Sequence, residues 1–113
     1  MFYAFDQNNS GGIFSFDEDL GITHWVIIEA DSEAEAISRA EHIGLYFNGC
    51  SSGMDCPCCG DRWSASYIKG SDQPEVDGRI LTESTFKEHK FGAWMDEGKE
   101  ACVHFKDGTN AWY

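Results

Sequence analysis

Four of the five cysteines lie between positions 50 and 59, as Cys50, Cys56, Cys58 and Cys59. Cys56-Pro57-Cys58-Cys59-Gly60 contains C-P-x-C-G, the spacing of a zinc knuckle. In such a turn two thiolates point at one ion, and the glycine lets backbone amides face the sulfurs. Zinc takes about four ligands in a tetrahedron, so the loop must find two more. Cys50 and Cys58 would complete a compact local set. Cys102 and His104, alternating on one face of a late strand, are the distant alternative. With all positions filled by protein, such a zinc is structural. Two other readings compete: buried apolar cysteines, and a reactive thiol or redox pair with Arg62 lowering the thiol pKa.

A second group of polar residues lies near the start. Asp6, Asn8, Ser10, Gly11 and Asp17 follow the spacing of a calcium loop, but Phe2-Tyr3-Ala4-Phe5 before them reads as a strand. A hairpin turn explains the same residues without an ion, and Asn8 and Asn9 become candidates for contacting a partner or small ligand. Asp17, Glu18 and Asp19 follow. Residues 1–38 hold eight acids and no Lys or Arg, whereas 39–113 hold twelve acids and eight bases. So one-sided a charge attracts cations or basic protein surfaces. The bland alternative is a solvated, solubilising face.

These residues need a scaffold, and several elements are legible. Met1–Phe5 reads as a strand, Gln7 to Gly12 as a turn, and Ile13–Phe16 as a second short strand completing a hairpin. Trp25–Ile28 is a continuous apolar run suited to a central strand covered on both faces. Ser32 with Glu35 makes a capping box, Ala36, Ile37, Ala40 and Ile43 share one helical face, and Gly44 is the expected cap. A short strand is expected near Tyr67–Lys69, with turns at Gln73-Pro74 and Asp77-Gly78. Ala101–Lys106 and Thr109–Tyr113 flank Asp107-Gly108, a two-residue hairpin signal. That register puts Val103, Phe105 and Trp112 on one face, with Cys102 and His104 opposite. The whole is a small α+β fold: mostly antiparallel sheet, one principal helix and a Cys-rich loop, forming a single domain over 1–113.

At 113 residues, 42 % hydrophobic and 14 % aromatic, the chain can bury a core. A net charge of −12 argues against direct nucleic-acid binding. No run approaches the ~20 apolar residues of a membrane helix, and no basic-then-apolar leader opens the chain. Five cysteines without such a leader read as thiols or metal ligands rather than disulfides. No nucleophile elbow, phosphate-cradling glycine loop or H-E-x-x-H occurs, so an enzyme is not expected. Trp63, Trp94, Trp112 and Tyr113 include candidate interface anchors.

Several stretches resemble a group of small uncharacterised proteins encoded largely by bacteriophages. They are Asn8-Asn9-Ser10-Gly11-Gly12, Glu29-Ala30-Asp31-Ser32, Gly44-Leu45-Tyr46-Phe47, and the string Asp55-Cys56-Pro57-Cys58-Cys59-Gly60-Asp61-Arg62-Trp63. The resemblance covers roughly 1–63 and implies a phage accessory protein acting in the bacterial host cytoplasm. Asp61 and Arg62 would then be presented for binding beside the metal, or else Arg62 would hold a structural ion pair with Trp63 packed under the helix. The expected function is occupation of a basic groove on a host defence nuclease, such as a CRISPR effector, or another nucleic-acid enzyme. The expected contacts are Asn8, Asn9, Asp17, Glu18, Asp19, Arg62 and Trp63. The alternatives are a nucleotide-signal sponge with its pocket at the Asn8 turn, and a structural zinc protein of phage assembly or regulation.

Overall fold

The computed structural model describes residues 1–8, 14–65, 68, 70–76, 78–82 and 98–113. It is an α+β fold. A five-stranded sheet runs β3-β1-β2-β6-β7, formed by β1 (Phe2–Asp6), β2 (Trp25–Glu29), β3 (Gly70–Ser71), β6 (Ala101–His104) and β7 (Asn110–Trp112). β4 (Glu75–Val76) and β5 (Arg79–Ile80) make a separate antiparallel pair. Among the described residues the strand pairings are antiparallel except β2 with β6, which run parallel with Val26 beside Cys102 and Ile28 beside His104.

Trp25–Ile28 is central, as its apolar run requires, and all four residues are buried. Alternate side chains serve two cores. On one face Val26 and Ile28 join Tyr3, Phe5, Ile22, Leu45, Trp63 and the helix residues Ala36 and Ala40. On the other, Trp25 and Ile27 join Val76, Leu81, Ala101 and Val103. Helix α1 (Glu33–Ile43) begins where the capping signal puts it: Ser32 Oγ accepts from the Glu35 N–H at 3.1 Å. At its other end the Gly44 N–H donates to the Ala40 and Glu41 carbonyls.

Two local expectations need correction. β1 pairs with β2 and β3, and residues 14–16 carry no strand, so no hairpin joins Phe2–Asp6 to that segment; Ile13 lies outside the described residues. A central-strand partner offering five paired residues displaces the short local one. The last hairpin forms at Asp107-Gly108, but with Cys102 opposite Trp112 and Val103 opposite Ala111. Its connection is three residues, closed by the Phe105 N–H to Thr109 carbonyl bond at 2.9 Å, with Gly108 at φ 90°. One extra loop residue shifts the register by one and turns Trp112 onto the face of Cys102 and His104. The Cys-rich loop opens with a short helix, α2 (Gly49–Ser52). Strand β3 lies just after the expected Tyr67–Lys69, of which Tyr67 and Lys69 lie outside the described residues.

Candidate functional site

Two surfaces carry the chemistry-bearing residues, and a buried polar network holds the first. Gln7, expected in an exposed turn, is 2 % exposed. Its amide nitrogen donates to the Thr23 and Ser15 carbonyls at 2.9 and 3.0 Å, and its Oε1 accepts from Arg62 Nη1 at 3.0 Å. Arg62 Nε donates to Tyr46 Oη at 3.2 Å, and that hydroxyl donates to Asp55 Oδ1 at 2.8 Å. Asp55 Oδ2 accepts the Arg62 backbone N–H at 2.8 Å. Burial, then the Asp55 carboxylate, push the Tyr46 hydroxyl above its usual range. A buried guanidinium and a buried carboxylate thus satisfy each other through shared hydrogen bonds.

Of the two roles considered for Arg62 and Trp63, this is the structural one. Both are buried, Arg62 in the ion pair and Trp63 in the helix-side core. Asn8 is exposed and holds the loop as well, its Nδ2 donating to the Cys59 carbonyl at 2.7 Å and its N–H to the Arg62 carbonyl at 2.8 Å. Asn9 lies outside the described residues. The role of Gln7 was not legible, because a polar residue after a strand reads as exposed unless its buried partners are known.

The network delivers the cysteine loop to the surface. All five cysteines are thiols; Cys56, Cys58 and Cys59 are exposed, Cys50 is half-buried and Cys102 is buried. The N–H groups of Cys59 and Gly60 donate to the Cys56 carbonyl at 3.1 and 3.2 Å, closing a tight turn. The amides of Cys58 and Cys59 face the Cys56 sulfur and the thiols of both lie against it, which holds the Cys56 pKa below its ordinary value. Cys50 Sγ instead lies 3.5 Å from the Cys56 carbonyl oxygen. Its pKa is pushed up to about 11 by burial and the neighbouring Asp61 carboxylate.

Among the described residues no three His, Cys, Asp or Glu side chains are grouped as a metal site. A zinc at Cys50, Cys56, Cys58 and Cys59 would therefore require the loop to close around the ion. The distant candidates are otherwise engaged. Cys102 is buried in the sheet, its pKa raised to about 12, and His104 Nε2 donates to the Gly21 carbonyl at 2.8 Å. Of the calcium-loop positions, Asp6 faces His24 at 3.3 Å and Asp17 closes a separate turn, while Ser10 and Gly11 lie outside the described residues.

That second turn is the other surface. Asp17 and Ile22 exchange two backbone hydrogen bonds of 2.9 Å, and Asp17 Oδ1 accepts the Leu20 N–H at 3.1 Å. Asp17, Glu18 and Asp19 are all exposed at its tip, flanked by Phe16 at 42 % and Leu20 at 47 % exposure. The Phe16 ring leans on Trp112, centroids 6.0 Å apart, and Lys99 Nζ lies 3.8 Å from Glu18 Oε1. Elsewhere the acidic half is partly neutralised: Lys106 pairs with Asp31, and its backbone N–H donates to Glu29 Oε1 at 3.0 Å. Lys106 holds the Asp31 carboxyl below the usual range. The acids thus divide into a tip bordered by Lys99 and a helix end shared with Lys106.

A cavity of about 330 Å³ lies where the expected Asn8 pocket meets the loop, lined by Ala4, Asp6, Asn8, Asp61, Arg62, Ser64 and Ile68. It brings two carboxylates and a guanidinium already committed to Asp55 and Gln7. That lining disfavours an anionic ligand such as a nucleotide. No described helix is long and apolar enough to cross a membrane.

The fold and these two surfaces define a small α+β protein that displays an acidic-apolar turn and a thiol-rich loop on one sheet. The chain belongs to the family described as Domain of unknown function (DUF7296), whose model matches residues 1–113. No curated protein and no solved structure matches it.

Proposed function

We propose that this protein is a binding module that docks its 16–20 turn against a basic protein surface. The observation that carries the reading is the composition of that turn: two exposed apolar side chains bracketing three exposed carboxylates. Apolar anchors contribute affinity when buried at an interface, and surrounding carboxylates steer encounter with a basic partner. A rigid base for the turn limits the ordering entropy lost on binding. The sequence resemblance to phage-encoded proteins suggests the partner: a host nucleic-acid enzyme, such as a CRISPR effector, whose basic groove accepts carboxylates in place of phosphates. The setting is then the bacterial host cytoplasm.

The test is a tagged capture from phage-infected bacterial lysate at low and high salt, beside the variant carrying D17K, E18K and D19K. A basic nucleic-acid enzyme retained at low salt, lost at high salt and absent with the variant is the expected result. Undiminished capture of the same enzyme by the variant would sink the proposal.

A further inference from the structure

The 56–60 loop supports a chemistry independent of the binding reading. A four-residue turn brings its first and last Cα atoms within about 7 Å, and a disulfide spans roughly 4.4–6.8 Å. The turn from Cys56 to Cys59 is of this kind, closed by the Cys59 N–H to Cys56 carbonyl bond of 3.1 Å. The Gly60 N–H donates to the same carbonyl at 3.2 Å, so the turn holds the Cys56 and Cys59 thiols close together, and the thiolate of such a pair is the nucleophile of disulfide exchange. The base is fixed: Asn8 grips the Cys59 carbonyl, and Asp61 Oδ1 accepts the Cys50 N–H at 2.9 Å. Both cysteines of the pair are exposed, so a substrate can reach the turn. Arg62, the activator suggested by the sequence, is turned inward to Asp55 and Gln7.

We propose that Cys56 and Cys59 form a redox-active dithiol that reduces disulfides by thiol–disulfide exchange. The Cys56 thiolate attacks one sulfur of the substrate disulfide; that S–S bond breaks, a mixed disulfide forms, and the departing thiolate takes a proton from water. Cys59 loses its proton to solvent and attacks the Cys56 sulfur, expelling the second substrate thiolate, which is protonated in turn. The pair is oxidised by two electrons to a Cys56–Cys59 disulfide, and the substrate is reduced to two thiols. Cys58, on the same turn, takes no part.

The experiment treats the reduced full-length protein with oxidised glutathione at pH 7, quenches with acid, and maps disulfides by mass spectrometry. A Cys56–Cys59 crosslink is expected. Glutathione should accumulate on Cys56 in C59S, C58S should behave as wild type, and C56S should react at least about tenfold more slowly. Circular dichroism checks each variant's fold. Independently of any variant, iodoacetamide should label wild-type Cys56 faster than Cys58, Cys59 or Cys50. Equal labelling, a crosslink through Cys58 or Cys50, or thiols that stay reduced would each overturn the proposal. So would stoichiometric zinc in the purified protein that blocks Cys56 and Cys59 until it is chelated, which would restore the structural-zinc reading.

Discussion

His104 Nε2 sits 2.8 Å from the carbonyl oxygen of Gly21, so a buried sheet histidine holds down the base of the acidic turn. The approach is so close that a Cβ on Gly21 would fall 2.5 Å from His104 Cε1. Strand β6 therefore fixes the position of Asp17, Glu18 and Asp19, although about eighty residues of chain separate them (the separation of the bonded pair is 83). The same strand meets the turn again through β7, where Trp112 supports Phe16.

Burial lowers the His104 pKa below 6.5, the Arg39 charge adds to that, and the Gly21 hydrogen bond works against it. The unfolded chain therefore binds the proton more readily than the folded one. This histidine costs nothing above pH 6.5, and stability declines as the pH falls from there toward the lower folded value. Urea midpoints measured between pH 7.5 and 5 should drop for wild type. In His104→Gln the decline should be shallower, whatever the variant's absolute stability. Equal slopes would remove His104 from this role.

Gly21→Ala should destabilise the fold by about 1–3 kcal/mol, combining a left-handed backbone with a clash against His104. Gly53→Ala is the control: its φ is also positive, at 83°, but nothing lies within 4 Å of an added Cβ. It should cost only about 1 kcal/mol. Thermal denaturation of the pair separates backbone strain from the loss of space.

Asp55→Ala leaves the buried Arg62 guanidinium without its carboxylate and should cost about 3–5 kcal/mol. Tyr46→Phe removes one hydroxyl from the same chain of bonds, for about 1–2 kcal/mol. The double variant should cost clearly less than the sum, because the two share partners. Chemical denaturation of all three checks this. An additive result would show that Tyr46 and Asp55 act independently.

At the proposed interface, apolar and charged residues should fail in different ways. Phe16→Ala with Leu20→Ala should mainly speed dissociation from the captured partner, whereas lysine at 17, 18 and 19 should mainly slow association and flatten its salt dependence. Surface plasmon resonance at several salt concentrations separates the two. If both variants change only the dissociation rate, steering is not what the carboxylates do.

Local order was legible wherever the deciding physics was local. Ser32 and Gly44 bound a helix because their groups satisfy its own first and last turns. Trp25–Ile28 reads as a central strand because only a doubly covered strand hides four apolar neighbours. Asp107-Gly108 marks a reversal because glycine accepts the backbone a tight turn requires. Register and partnership escaped, since they depend on distant residues. The three-residue connection after Phe105 turned Trp112 to the other face, and β1 chose β2 over the segment following Gln7.

The candidate sites divide along the same line. The amino-acid sequence by itself determined the clustering of thiols from Cys50 to Cys59 and of acids from Asp17 to Asp19, because both are contiguous. Only the tertiary structure decided that Arg62 and Trp63 face inward. It likewise tied Gln7 to the D-R-W string 55 residues on, and paired Lys106 with Asp31 while leaving the 16–20 tip mostly acidic. Burial and pairing are properties of neighbours in space, and a buried charge settles where its partner lies rather than where its sequence position suggests.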